Sequence, residues 1–116
     1  MSEIRQRRII TMYTFVETRL FSRAIGTHLT DEEFAALQMF IAVNPCAGPV
    51  IKGSGGVRKL RWGRAGAGKR GGIRIIYYVV PSQDEIWLLT VYSKTARDTI
   101  SASTLRAIKD ELDETR

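Results

Sequence analysis

The spacing of apolar residues changes several times along the chain, and each change marks an element boundary. Arg7–Glu17, RRIITMYTFVE, is rich in β-branched and aromatic residues and predicts a first strand. From about Thr18 the spacing becomes helical, with Leu20, Phe21, Ala24 and Ile25 on one face and an end near Gly26. A stronger start signal comes next. Thr30 and Glu33 form the capping box T-x-x-E, and Phe34, Leu37, Phe40 and Ile41 mark one face of a second helix. Asn44-Pro45 stops it, because a residue before proline disfavours helical geometry. After a loop over Cys46–Gly56 come three strand patterns, Val57–Trp62, Ile73–Val80 and Ile86–Ser93, whose short connections predict an antiparallel meander. SASTLRAIKDELDE closes the pattern as a helix with a Ser or Thr cap and with Leu105, Ile108 and Leu112 on one face. The order β-α-α-β-β-β-α predicts an α+β fold: a small twisted, mostly antiparallel sheet with the helices on one face.

Composition narrows the class. With 116 residues, 44% of them apolar and 26% charged, residues 1–116 read as a single globular domain, with neither repeat nor linker. The lone Cys46 excludes an internal disulfide and a multi-cysteine zinc site, and a reducing cytoplasm is the simplest compartment. Arg5, Arg7 and Arg8 precede IITMYTFV in loose imitation of a signal peptide. Thr11, Tyr13 and Thr14 interrupt the apolar run and no small-residue cleavage site comes after it, so a strand is the better reading. No apolar stretch approaches the ~20 residues needed to cross a bilayer.

Charge changes the picture more. The net charge is +6, and between Phe34 and Gln83 there are eight Lys or Arg and no Asp or Glu. A solvated surface ordinarily mixes signs, so an acid-free stretch of this length indicates a cationic site for an anionic partner. Its densest part is GSGGVRKLRWGRAGAGKRGGIR, Gly53–Arg74. Gly63–Lys69 there fits the phosphate-loop pattern G-x-x-x-x-G-K, and Gly66, Gly68 and Gly71 fit G-x-G-x-x-G. Both motifs require a helix directly afterwards, whose amides hold the phosphates. Lys69 instead leads into Arg70 and then the strand pattern GGIRIIYYVV, so both matches are accidents of a glycine-rich hairpin.

Strand alternation supplies a different site. Side chains alternate between faces, so Leu60, Trp62, Ile75, Tyr77, Leu89 and Val91 are expected to pack on the helices. Lys59, Arg61, Arg74, Tyr92 and Lys94 then share the open face. His28, the only histidine, falls between the first two helices and reads as structural. No His/Cys/carboxylate cluster suggests a metal, and no cofactor is expected.

The segments GSGGVRKLRW, GKRGGIRIIYY and LLTVYSK, with LTDEEFAALQMFIAVNPCAGPVI upstream, resemble in order and spacing the RelE superfamily of bacterial toxins, in particular its HigB-like branch. The resemblance covers about residues 10–112. It implies an mRNA interferase that cuts messenger RNA in the ribosomal A site without metal, by attack of a 2′-OH on the adjacent phosphate. It also implies a cognate antitoxin partner, commonly with a DNA-binding domain. By the resemblance Arg74 matches the family's phosphate-stabilising arginine, and Lys59 and Arg61 are candidates for base and phosphate contacts. Lys94 falls near a second family arginine. Ile100 stands nearest the position of a catalytic tyrosine found in some members, so that role falls to Tyr92 or is absent. Arg58, Arg64, Lys69 and Arg70 would hold ribosomal RNA or the messenger backbone. The competing reading is a non-catalytic RNA- or DNA-binding module with the same cationic face.

Overall fold

A computed structural model describes residues 4–10, 12–63, 72–80, 82–93 and 100–115, with backbone only at 4–8, 10 and 115. Its elements run β1 (Ile4–Ile10), β2 (Tyr13–Thr18), α1 (Arg19–Ile25), α2 (Asp31–Val43), β3 (Arg58–Trp62), β4 (Ile73–Val80), β5 (Glu85–Ser93) and α3 (Ala102–Thr115). The chain is α+β, with five strands in a mixed sheet of order β1-β2-β5-β4-β3. Only the β2–β5 contact is parallel; β1–β2, β4–β5 and β3–β4 are antiparallel.

The helices begin where their caps dictate. Thr18 accepts a hydrogen bond from the Phe21 amide at 3.0 Å and caps α1. The capping box of α2 is complete: Thr30 Oγ1 accepts from Glu33 N at 3.1 Å, and Glu33 Oε1 accepts from Thr30 N at 2.8 Å. Such a cap contributes about 1 kcal/mol. Ser101 Oγ accepts from Thr104 N at 3.2 Å at the start of α3.

The expected first strand is two. The register Ile10↔Tyr13 folds it back as a hairpin, although the sequence between the two strands has none of the Gly, Asn or Pro signals that mark such turns. The observed order is therefore β-β-α-α-β-β-β-α.

The helices lie on both faces of the sheet, contrary to the one-face expectation. Phe15, Ile75, Tyr77, Ile86, Leu88 and Val91 join Phe21 and Ile25 of α1 and Leu37 and Ile41 of α2 in one core. The opposite parity, Val16, Ile76, Val80, Trp87 and Leu89, joins Leu105 and Leu112 of α3 in another. The reason is legible in the central strands, IRIIYYVV and IWLLTVY, which are apolar at both parities as strands buried on two sides must be.

Leu89 is likewise on the other face from the expected one. Ile76 pairs with Thr90 while Tyr77 pairs with Leu88, so Leu89 is the extra residue of a β-bulge and the alternation of β5 reverses there. Its carbonyl accepts a 2.7 Å hydrogen bond from the Thr18 hydroxyl, which ties the bulge to the α1 cap.

Candidate functional site

Cross-strand register assembles the cationic face. Arg61 stands directly opposite Arg74, and Arg74 directly opposite Tyr92, so the three form one row across β3, β4 and β5. The next row on that face is Lys59–Ile76–Thr90. At ~4.8 Å between strands, the backbone positions of the first row span ~10 Å, and Lys59 stands ~7 Å from Arg61 along β3. Lys59 and Arg61 are exposed, and Arg74 and Tyr92 are half-buried.

The row is open because the apolar residues of this face run out beside it. Ile76, Tyr78, Trp87 and Leu89 are roofed by Leu105, Ile108 and Leu112 of α3. One row further along β4, the parity carries Arg74. At the boundary Lys109 lies 5.1 Å from the centroid of the Tyr78 ring and pairs with Asp110 at 3.1 Å and Asp113 at 3.5 Å. That lysine is committed to holding α3 down.

Electrostatics sets the row apart. Like charges opposite one another in a sheet destabilise it. Two unit charges 4 Å apart repel by about 1 kcal/mol in water and about 4 kcal/mol at an effective dielectric of 20. Among the described residues no carboxylate pairs with Lys59, Arg61 or Arg74. Among the described residues the Arg74 guanidinium makes a single long hydrogen bond, 3.5 Å to the Ile73 carbonyl. An anion seated between Arg61 and Arg74 converts this repulsion into two attractions. Burial raises the Tyr92 phenol above its ordinary value of 10.0, with the Arg74 guanidinium opposing the shift. The phenol is thus protonated at neutral pH and can donate a proton or a hydrogen bond to an oxyanion.

Arg58 belongs to the opposite face, across from Tyr77. Its guanidinium donates to the Gly48 carbonyl at 2.8 Å and the Cys46 carbonyl at 3.4 Å. Tyr77 Oη donates to the Pro45 carbonyl at 2.8 Å and accepts from the Gly48 amide at 3.0 Å. The pair straps residues 45–48 over the start of β3. Gly48 is required there, since a Cβ would lie 3.0 Å from the backbone C and O of Lys59. Arg58 and the Arg61–Arg74 row are therefore separate features.

Of the remaining sequence candidates, Arg64, Lys69, Arg70 and Lys94 lie outside the described residues. Residues 64–71, which carry most of the phosphate-loop and dinucleotide patterns, also lie outside the described residues; the described chain resumes at Gly72 and enters strand β4 at Ile73. His28 sits in the α1–α2 connection, where its amide donates to the Ile25 carbonyl at 3.0 Å. Among the described residues no three His, Cys, Asp or Glu side chains gather into a metal site, and no helix is long and apolar enough to cross a membrane.

Sequence reading missed Arg106. It lies on α3 against the loop that leads into β3, where a Cβ added to Gly55 would meet its Cγ at 3.5 Å. Gly55 and Gly56 both have positive φ, 78° and 107°, which lets this loop turn under the helix. The pattern gave no hint of that contact, because α3 was expected on the other face. No family model matches the chain.

Proposed function

We propose that this protein is a ribosome-dependent endoribonuclease of the RelE superfamily, HigB-like branch, acting as the toxin of a type II toxin–antitoxin pair. The observation that carries the reading is the cross-strand row Arg61–Arg74–Tyr92, with Lys59 beside it, none of whose cations has a carboxylate partner among the described residues. Cations opposed in this way suit a phosphodiester, whose non-bridging oxygens accept paired guanidinium donors.

In this reading the 2′-oxygen attacks the adjacent phosphorus and the bond from phosphorus to the 5′-oxygen breaks. The products are a 2′,3′-cyclic phosphate and a free 5′-OH. Arg61 and Arg74 hold the charge that grows on the phosphate oxygens. Tyr92, protonated at neutral pH, supplies the proton needed by the departing 5′-oxygen, and Lys59 or Lys94 assists transfer from the 2′-OH. No cofactor enters this reaction. The partners in this reading are the ribosome and its messenger in the cytoplasm, and a cognate antitoxin.

A row of a few cations and one phenol has modest acid–base power, so positioning of the messenger by the ribosome must supply much of the acceleration. Cleavage is therefore expected in a translating extract and negligible on naked RNA. Primer extension on translated messages, comparing wild type with Arg74→Ala, tests the reading: discrete new 5′ ends should appear with wild type and vanish with the variant. Binding without new ends identifies the non-catalytic module instead.

A further inference from the structure

Helix α2 is apolar on its outside as well as its inside. Leu37, Gln38, Ile41 and Ala42 are buried against the sheet, as a surface helix requires. Yet Ala35, Ala36, Met39, Phe40 and Val43 are all exposed, with Met39 at 49%, Phe40 at 37% and Val43 at 64%. From Phe34 to Val43 the helix holds no charged residue. A helix that is apolar all round belongs inside a larger assembly.

We propose that the outer face of α2 is the interface of a homodimer in which two copies of α2 pack antiparallel about a two-fold axis that falls between the Ala35-Ala36 and Met39-Phe40 pairs. Residue size along the stripe argues for a second copy. The small Ala35 and Ala36 stand one turn before the large Met39 and Phe40, so an antiparallel partner lays its large residues over the small ones of the first chain, and the reverse. That alternation is what lets facing helices interdigitate, and an isologous contact satisfies both halves at once.

Charge complementarity argues the same way. The acids of the helix are confined to its first turn, where Asp31 and Glu32 are exposed. Just past the C-cap Asn44, the Arg58 guanidinium is fastened to the carbonyls of Cys46 and Gly48. Antiparallel pairing brings the acids of each copy towards the arginine of the other. The Lys59, Arg61 and Arg74 side chains lie on the far side of the sheet. A net charge of +6 per chain therefore does not set the two stripes against each other. The two cationic faces end up back to back and open, so dimerisation does not depend on what those faces bind.

The stripe is one helix wide and ~20 Å long. That is less than the ~800 Å² per partner of a standard interface, so the contact belongs to the weak, transient class and assembly should depend on concentration.

Sedimentation velocity of the full chain from about 1 µM to about 500 µM tests this. The expected mass rises from 13.1 kDa to twice that value. Met39→Asp combined with Val43→Asp should move the midpoint upward at least ~tenfold, with far-UV circular dichroism unchanged because both positions are exposed. Leu20→Asp, at an exposed apolar position on α1, should leave the midpoint where it is. Glu32→Lys should weaken assembly at low salt and have less effect at high salt. A mass fixed at 13.1 kDa across the range overturns the proposal. A dimer unmoved by the Met39/Val43 variant, or one moved equally by Leu20→Asp, overturns it as well, and indifference to Glu32→Lys overturns the antiparallel arrangement.

Discussion

Arg58 and Arg61 stand three residues apart on one five-residue strand and lead opposite lives. Arg58 points to the face closed by α1 and α2, where its Nη1 donates to the carbonyls of Gly48 and Cys46. Arg61 points to the face that α3 covers only in part, opposite another arginine and without a carboxylate partner among the described residues. The tyrosines repeat the contrast. Tyr77 is fully buried with its hydroxyl both donating and accepting, whereas Tyr92 is half-buried beside Arg74. On one face polar groups serve the fold. On the other, in the reading proposed above, Arg61, Arg74 and Tyr92 are left for a ligand.

The largest expected effect tests this division through the two arginines. Arg74→Ala should lower the single-turnover cleavage rate in a translating extract by ~10²-fold or more, as loss of an oxyanion donor does, while the fold stays intact. Arg58→Ala should do the opposite, with a lowered denaturation midpoint and near-normal cleavage by the fraction that remains folded. If the two variants lose cleavage alike and stability alike, the faces are not functionally distinct.

A smaller effect is expected from the tyrosines. Tyr77→Phe removes the hydroxyl that satisfies the buried Gly48 amide, and a buried donor left without a partner costs about 1–3 kcal/mol. Tyr92→Phe should leave urea stability within about 0.5 kcal/mol and slow cleavage instead. A stability loss from Tyr92→Phe equal to that from Tyr77→Phe would place both phenols in the scaffold.

How far the sequence foretold this division depends on whether a feature is local. The capping box of α2, the limits of β4 and the sharing of one face by Lys59, Arg61 and Arg74 follow from neighbouring residues and strand alternation, and the structure has them. The β1–β2 hairpin escaped because Thr11-Met12 lacks turn chemistry. The bulge at Leu89 escaped because a one-residue slip leaves no mark in composition, although it turns half of β5 over. The second helical layer was readable, since Ile76, Tyr78 and Trp87 are too apolar for a solvated face. Weighting the cations alone hid it. Arg58 shows the limit most plainly: nothing local separates a guanidinium that straps a loop from one that stands on the open face without a carboxylate partner among the described residues.

The smallest effect concerns alkaline pH, where both faces weaken for different reasons. Burial raises the Tyr77 phenol above its ordinary 10.0. The unfolded chain therefore releases that proton from about pH 10 upward while the folded chain retains it, and stability falls as pH rises through this window. Lys109 is raised above its ordinary 10.5 chiefly by its hydrogen bond to Asp110. Its contribution is fully present below about 10.5 and is lost as pH climbs through the higher folded value. Tyr92, also raised, shares the phenol window. Urea midpoints should then be flat from about pH 8 to 10 and decline above it. Tyr77→Phe should flatten the first part of the decline, and Lys109→Met only the later part. A Lys109→Met protein that loses the early decline, with Tyr77→Phe unchanged from wild type, would overturn the assignment of that early decline to the buried Tyr77 phenol and move it to the lysine that holds α3.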